Sequence, residues 1–356
     1  MGQLPVIRNF SLFFFFFVSF FCAASSFNLS VISFDQGYTH LFGEGNLVRS
    51  SDGRSVRLLL DRYTGSGFIS ANLYNHGFFS ANIKLPSEYT AGVVVAFYVS
   101  NKDRWGLLLL LLQTSNGDVF EKTHDELDFE FLGNVKGKPW RFQTNVYGNG
   151  STSRGREERY RLWFDPSKEF HRYSILWTAK NIIFYVDEVP IREVIRNEAM
   201  GGDYPSKPMA LYATIWDASN WATSGGKYKV DYNYAPFVSE FSDFVLDGCP
   251  ADPLQLASAG GCSDKDAELE SNDYSAITPL RRISMRKFRQ KYMYYSYCYD
   301  TLRYATPLPE CVIIPSEKRR FKDTGRLKFG GSHKKSSKRR SRVPVATTTS
   351  DRQAAA

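Results

Sequence analysis

What the chain has little of narrows it first. There are five cysteines in 356 residues, at 22, 249, 262, 298 and 311. None of these spacings falls in the two-to-four-residue range that ligand pairs of a structural zinc site use. Long helical periodicity is missing, which argues against a helical bundle. The longest apolar run, Phe10 to Cys22, is too short for a comfortable membrane span of about 20 residues. Acidic residues are almost absent from the C-terminus: from Lys318 onward there are thirteen Lys/Arg against two Asp, a net charge of +11. The whole chain carries +8, so the remainder carries −3. The body is mildly acidic and the basic character belongs to the tail.

What is present begins with Arg8, the Phe-rich run and Ala23-Ala24-Ser25-Ser26, the three-part pattern of a secretory signal peptide. Residues 1–26 are expected to be removed, with cleavage near Ala24 or Ser26; a retained signal anchor is the alternative. Cys22 leaves with that segment. The remaining four, Cys249, Cys262, Cys298 and Cys311, form an even set in a secreted chain and read as disulfides, with three connectivities open. Asn149-Gly150-Ser151 is a glycosylation sequon in a Gly-rich turn.

From Phe27 to about Cys249, short apolar or alternating segments are broken by Gly, Asn, Asp and Pro. Val56–Leu60, Phe68–Leu73, Gly92–Tyr98, Phe142–Tyr147, Tyr173–Trp177 and Ile182–Val186 are expected strands. This pattern points to an all-β sandwich or barrel. Ser284–Tyr292 has helical spacing, with Met285, Phe288 and Tyr292 on one side.

The densest chemistry lies in His124–Gly133, where Glu126, Asp128 and Glu130 alternate with Leu127, Phe129 and Phe131. In a strand the carboxylates share one face and the apolar residues the other. Three like charges on one face persist where the face is solvated or where the charges do chemistry. A metal reading is weak, because strict alternation matches no standard Ca²⁺ loop. Paired carboxyls on one strand suit retaining glycoside hydrolysis, with one as nucleophile and the other as acid, then base.

HDELDFEFLG closely resembles the active-site signature of plant xyloglucan endotransglucosylase/hydrolases, departing only at Leu127. Lys138-Pro139-Trp140, Leu162–Pro166, Val186–Arg192 and Trp216–Gly226 are also similar, and the resemblance covers roughly Phe27 to Gly331. It implies a curved β-jelly-roll sandwich over 27–248. It also implies a short helix/strand extension over 249–315 that lengthens the cleft, with disulfides Cys249–Cys262 and Cys298–Cys311. By composition, with almost no core formers beyond Gly330, residues 316–356 are expected to form a basic, disordered tail. Glu126 is implied as nucleophile, Asp128 as helper and Glu130 as acid/base, with neither metal nor cofactor. Implied sugar-binding residues are Gln143, Thr144 and Asn145, then Gly155, Arg156 and Glu157. Trp216, Trp221, Ala222 and Gly226 form the implied acceptor-side platform, and Arg303 comes from the extension.

The implied activity is cleavage of the xyloglucan backbone and transfer to a xyloglucan acceptor in the cell wall or apoplast. A predominantly hydrolytic enzyme and an inactive glycan-binding jelly roll are the alternatives. The enzyme is expected to be a monomer, free of membrane after cleavage and without a nucleic-acid partner. The run Lys334–Arg342 has the composition of a nuclear-localisation or nucleic-acid segment, but the leader and disulfides argue against both. Acidic wall polysaccharide is a more suitable partner; a merely solvated tail is the alternative. One stretch departs from the family pattern. Val99–Gln113 contains six consecutive leucines, Leu107–Leu112, and reads either as a translated splice-acceptor tract or as a real insertion.

Overall fold

A computed structural model describes residues 27–101, 124–150, 154–251 and 262–328. The Leu107–Leu112 run, Ser151 of the sequon and the Lys334–Arg342 segment lie outside these residues.

Two antiparallel sheets face one another. The first has eight strands, in the order β1 (Tyr38–Phe42), β4 (Ser66–Ser70), β13 (Ala210–Asp217), β6 (Val93–Ser100), β7 (Glu126–Leu132), β8 (Arg141–Tyr147), β9 (Glu158–Tyr160) and β15 (Met293–Ser296). The second has seven: β12 (Val189–Ile195), β11 (Asn181–Val186), β10 (His171–Trp177), β5 (Tyr74–Lys84), β14 (Phe237–Pro250), β3 (Ser55–Leu60) and β2 (Leu47–Arg49). The expected all-β sandwich is what forms, and each of the six expected strands is present within a few residues of its expected ends. Among the described residues, no helix is long and apolar enough to cross a membrane.

Aromatic side chains join the layers. Phe129 meets Phe184 edge-on at 5.2 Å and Phe131 meets Tyr173 at 4.8 Å, so β7 packs directly on β11 and β10. Leu127, Phe129 and Phe131 are fully buried. One face of β7 is therefore committed to the core, and its carboxylates are turned outward.

The extension contributes helix α1 (Ser263–Ser271) and helix α2 (Pro279–Tyr292). Helix α2 starts five residues before the expected Ser284. Thr278 caps it, its hydroxyl accepting the Arg281 amide at 3.3 Å, and Pro279 occupies the first turn, where its missing N–H costs nothing. Met285 and Phe288 are buried, as their spacing predicts. Both disulfides join neighbours in sequence, Cys249–Cys262 and Cys298–Cys311, with Cα separations of 5.7 and 5.5 Å.

Residues 316–328, expected as the start of a disordered tail, are ordered. A helical turn at Pro315–Lys318 leads into a hairpin closed at Phe321 and Leu327. Two residues anchor it. Glu317 is buried and accepts a hydrogen bond from the Tyr299 hydroxyl at 3.0 Å; Phe321 is buried and stacks on the Tyr299 ring at 4.9 Å. Composition alone hides such an element, because two anchors suffice to hold a strongly basic segment.

Of the atypical stretch 99–113, Val99 and Ser100 complete the β6 ladder opposite Leu127 and Glu126, and Val99 is fully buried.

Candidate active site

The register of β7 builds the site. On one side, Ser100, Tyr98 and Ala96 of β6 stand opposite Glu126, Asp128 and Glu130; on the other stand Tyr147, Asn145 and Gln143 of β8. These residues share the face turned away from the core. Glu126 and Glu130 are half-buried and Asp128 is buried. His124 Nε2 lies 3.3 Å from Glu126 Oε2. Gln143 donates from Nε2 to Glu130 Oε2 at 2.5 Å. Tyr98, which stands opposite Asp128, stacks on Tyr212 at 5.0 Å, and both rings are buried beneath the acids' flank.

The three acids differ electrostatically because their surroundings differ. Burial raises the Glu130 carboxyl to about 7; the Gln143 hydrogen bond opposes this and the Glu126 charge adds to it. Burial, then the Glu130 and Glu126 charges, push Asp128 well above the usual carboxylate range. The face thus holds one glutamate, Glu130, that keeps a proton near neutrality beside a second half-buried glutamate, Glu126, an arrangement suited to acid–base chemistry.

Beyond Gln143, Glu157 and Arg159 form an ion pair, and the Arg159 guanidinium lies 5.1 Å over the Tyr295 ring. Arg303 lines the same hollow as Glu157 and Arg159. On the opposite flank, Trp216 of β13 is half-buried and Trp221 is 45% exposed.

The chain from 34 to 234 matches glycosyl hydrolases family 16, and residues 264–311 match the xyloglucan endo-transglycosylase C-terminus. Probable xyloglucan endotransglucosylase/hydrolase protein 30 of Arabidopsis thaliana is 68% identical over 327 residues, covering 91% of each chain. The chain belongs to the xyloglucan endotransglucosylase/hydrolase family. Protein 29 of the same series and organism is 64% identical, covering 90% of this chain and 88% of that one. A solved Bacillus licheniformis beta-glucanase is also similar, at 21% identity and a TM-score of 0.43, over 62% of this chain and 94% of the other.

Not every residue expected at the site reaches the carboxylate face. Thr144 stands opposite Phe129, so its side chain is turned to the interior, where its hydroxyl accepts from Arg192 Nη1 at 2.9 Å. Arg156 is fully buried, and its guanidinium is occupied by Asp203 at 3.0 Å and Glu310 at 2.6 Å. It belongs to the joint between body and extension, because alternation sends Arg156 inward when Glu157 faces the cleft. Ala222 and Gly226 are buried. At Gly226 the backbone is what matters: φ is +79°, and a Cβ would fall 2.4 Å from the Asn220 carbonyl oxygen. Gly155 is buried as well, and a Cβ there would come within 3.1 Å of the Arg303 guanidinium. Gln143 and Asn145 stand opposite Glu130 and Asp128 on β8, Glu157 and Arg303 line a hollow further along that side, and Trp216 lies on β13 on the other side of β7.

The family motif also hides a residue that sequence reasoning passed over. Asp125 is buried and accepts from the amides of Asn149 (2.6 Å), Ser206 (2.8 Å) and Lys207 (3.0 Å), and from Lys207 Nζ at 3.0 Å. It pins the entry to β7. Its signal was visible, since it falls out of phase with Glu126, Asp128 and Glu130 and in phase with Leu127.

Proposed function

We propose that this enzyme cleaves the β-1,4-glucan backbone of xyloglucan with retention and passes the bound glycosyl group to a xyloglucan chain end. Glu126 attacks the anomeric carbon while Glu130 gives its proton to the departing glycosidic oxygen. The C–O bond breaks and a glycosyl ester forms on Glu126. Glu130, now ionised, takes the proton from an acceptor hydroxyl, which attacks the same carbon and releases Glu126. Asp128 lies between the two glutamates, its carboxyl pushed well above the usual carboxylate range by burial and then by the Glu130 and Glu126 charges. The observation that carries this reading is the shared face of Glu126, Asp128 and Glu130, with Glu130 keeping its proton to about pH 7 beside Gln143.

Gln143 and Asn145 would bond sugar hydroxyls, Trp216 and Trp221 would stack on rings, and Glu157 with Arg303 would hold the far end. The enzyme works as a secreted monomer in the wall, with a glycan at Asn149, which is exposed with φ +54°. Signal cleavage after Ser26 would leave Phe27 as the N-terminus; its nitrogen lies 3.2 Å from Glu188 Oε1, ready to accept an ammonium. The basic tail meets anionic wall polysaccharide.

Incorporation of a labelled xyloglucan oligosaccharide, measured beside reducing-end release, tests the reading. Incorporation is expected to exceed release and to vanish in Glu126→Ala. Release without incorporation would make the enzyme a hydrolase. Wild-type turnover in Glu126→Ala would refute the assignment.

A further inference from the structure

The 315–328 segment folds back on itself beside Cys298. The Lys328 amide donates to the Arg320 carbonyl at 2.8 Å and the Lys322 amide to the Arg326 carbonyl at 2.8 Å, so the helical turn carrying Lys318 comes to lie beside both arms of the hairpin. The result is a hollow of about 420 Å³ in which Lys318, Arg319, Lys322 and Lys328 stand together, with Asp323 as the one acid of its lining. All four cations are exposed. The volume is in the range of small-ligand sites, about 300–1,000 Å³. The hollow shares no residue with the one lined by Glu157, Arg159 and Arg303, and its cations lie beyond the matched C-terminal segment, which stops at 311.

The lining selects among occupants. Four cations against one carboxylate leave a net +3, which attracts a polyanion. Pro307, Ile313 and Pro315 add apolar surface, and none of them is buried. Cations beside apolar surface suit a sugar chain with one carboxylate per ring: the carboxylates meet Lys and Arg, and the C–H faces of the rings meet Pro and Ile. A nucleic-acid strand stacks its bases on exposed aromatic faces. The rings here, Tyr299 and Phe321, are buried and stacked on one another at 4.9 Å. This chain's own later residues are excluded by charge. They continue from Lys328, at the edge of the hollow, and hold seven Lys/Arg against one Asp.

We propose that this hollow is a docking site for anionic polysaccharide and takes a short run of uronate residues independently of the cleft. For the class of its partner the inference rests on the wall-binding reading of the basic tail, to which it adds a folded site.

Calorimetric binding of a short galacturonate oligomer to the full-length enzyme at low salt tests this. The wild type is expected to bind the oligomer and not its methyl-esterified form. Lys318→Gln/Arg319→Gln/Lys322→Gln should weaken binding about tenfold, the worth of three exposed ion pairs. Lys338→Gln/Arg339→Gln/Arg340→Gln removes equal charge from the later residues and should weaken it less than about twofold. Both variants should match the wild type in thermal unfolding and in transfer to soluble xyloglucan. If the first unfolds early, Lys318→Gln alone carries the test, with an expected loss of about twofold. Equal losses in the two triple variants reduce the effect to net charge and overturn the site, as do no binding by the wild type or undiminished binding of the esterified oligomer. A loss confined to the second variant assigns binding to the tail alone and overturns the hollow. Tighter binding of an oligonucleotide, lost in the first variant, overturns the polysaccharide in favour of nucleic acid; a dimer broken by that variant overturns it in favour of a second copy. A wild type that binds but transfers nothing overturns the transferase reading and supports the site.

Discussion

Glu130 shows how one residue's surroundings set both rate and stability. With its carboxyl raised to about 7, the acid form needed for leaving-group protonation is lost as pH rises through that value. The alkaline limb of kcat/KM is therefore expected near pH 7. Gln143 donates to the ionised form and holds the pKa down, so Gln143→Ala should move this limb upward; a downward shift would contradict the assignment. The same carboxyl costs stability. Its folded-state value lies above the ordinary 4.5, so the folded protein binds more protons between about pH 4.5 and 7, and stability falls as pH rises through that window. Glu130→Gln should then stabilise the fold at pH 8 by about 1–3 kcal/mol and lose that advantage below pH 4.5. Denaturant unfolding of both proteins at pH 4 and 8 checks this, and an equal difference at both values would count against it.

At the scale of elements, β9 and helix α2 are tied by a buried ion pair. Glu158 accepts from Arg289 Nη1 at 2.6 Å, Arg289 Nη2 at 2.9 Å and Ser296 Oγ at 2.7 Å. Burial alone would raise its pKa, but Arg289 and then Arg192 overcome this and hold it at about 2. This folded value is depressed, so its stabilisation is complete above pH 4.5 and is lost as pH falls from there toward 2. Arg289 also lies 3.4 Å from Glu317, which carries the tie on to the hairpin. Arg289→Ala leaves buried carboxylates without a counter-charge and should cost about 3–5 kcal/mol. Thermal unfolding reads this, and a loss below about 1 kcal/mol would mean that the tie is solvated. Such joints were the least legible part of the chain. Alternation exposed Glu126, Asp128 and Glu130, because a period of two is local. Whether Arg156 met sugar or Glu310 depended on a contact across 154 residues, and no local pattern encodes that.

The whole molecule separates its charges as well as its elements. The sandwich was readable because short strands and turn residues repeat along the chain, whereas the ordered 316–328 segment was concealed by a basic composition that it shares with the residues after it. Those later residues, 329–356, hold seven Lys/Arg and one Asp, a net of +6. They carry none of the groups assigned to the cleft. If they tether the enzyme to anionic polysaccharide, the attraction is electrostatic and screened over about 10 Å at 0.1 M salt. A chain ending at Lys328 keeps the hairpin and should transfer to soluble acceptors at the full-length rate. On immobilised polygalacturonate, the full-length chain should elute at distinctly higher salt than the shortened one. Equal elution would assign retention to the body or to the 316–328 segment, which carries a net +5 from Lys318 to Lys328, and would leave the later residues without a role in wall binding.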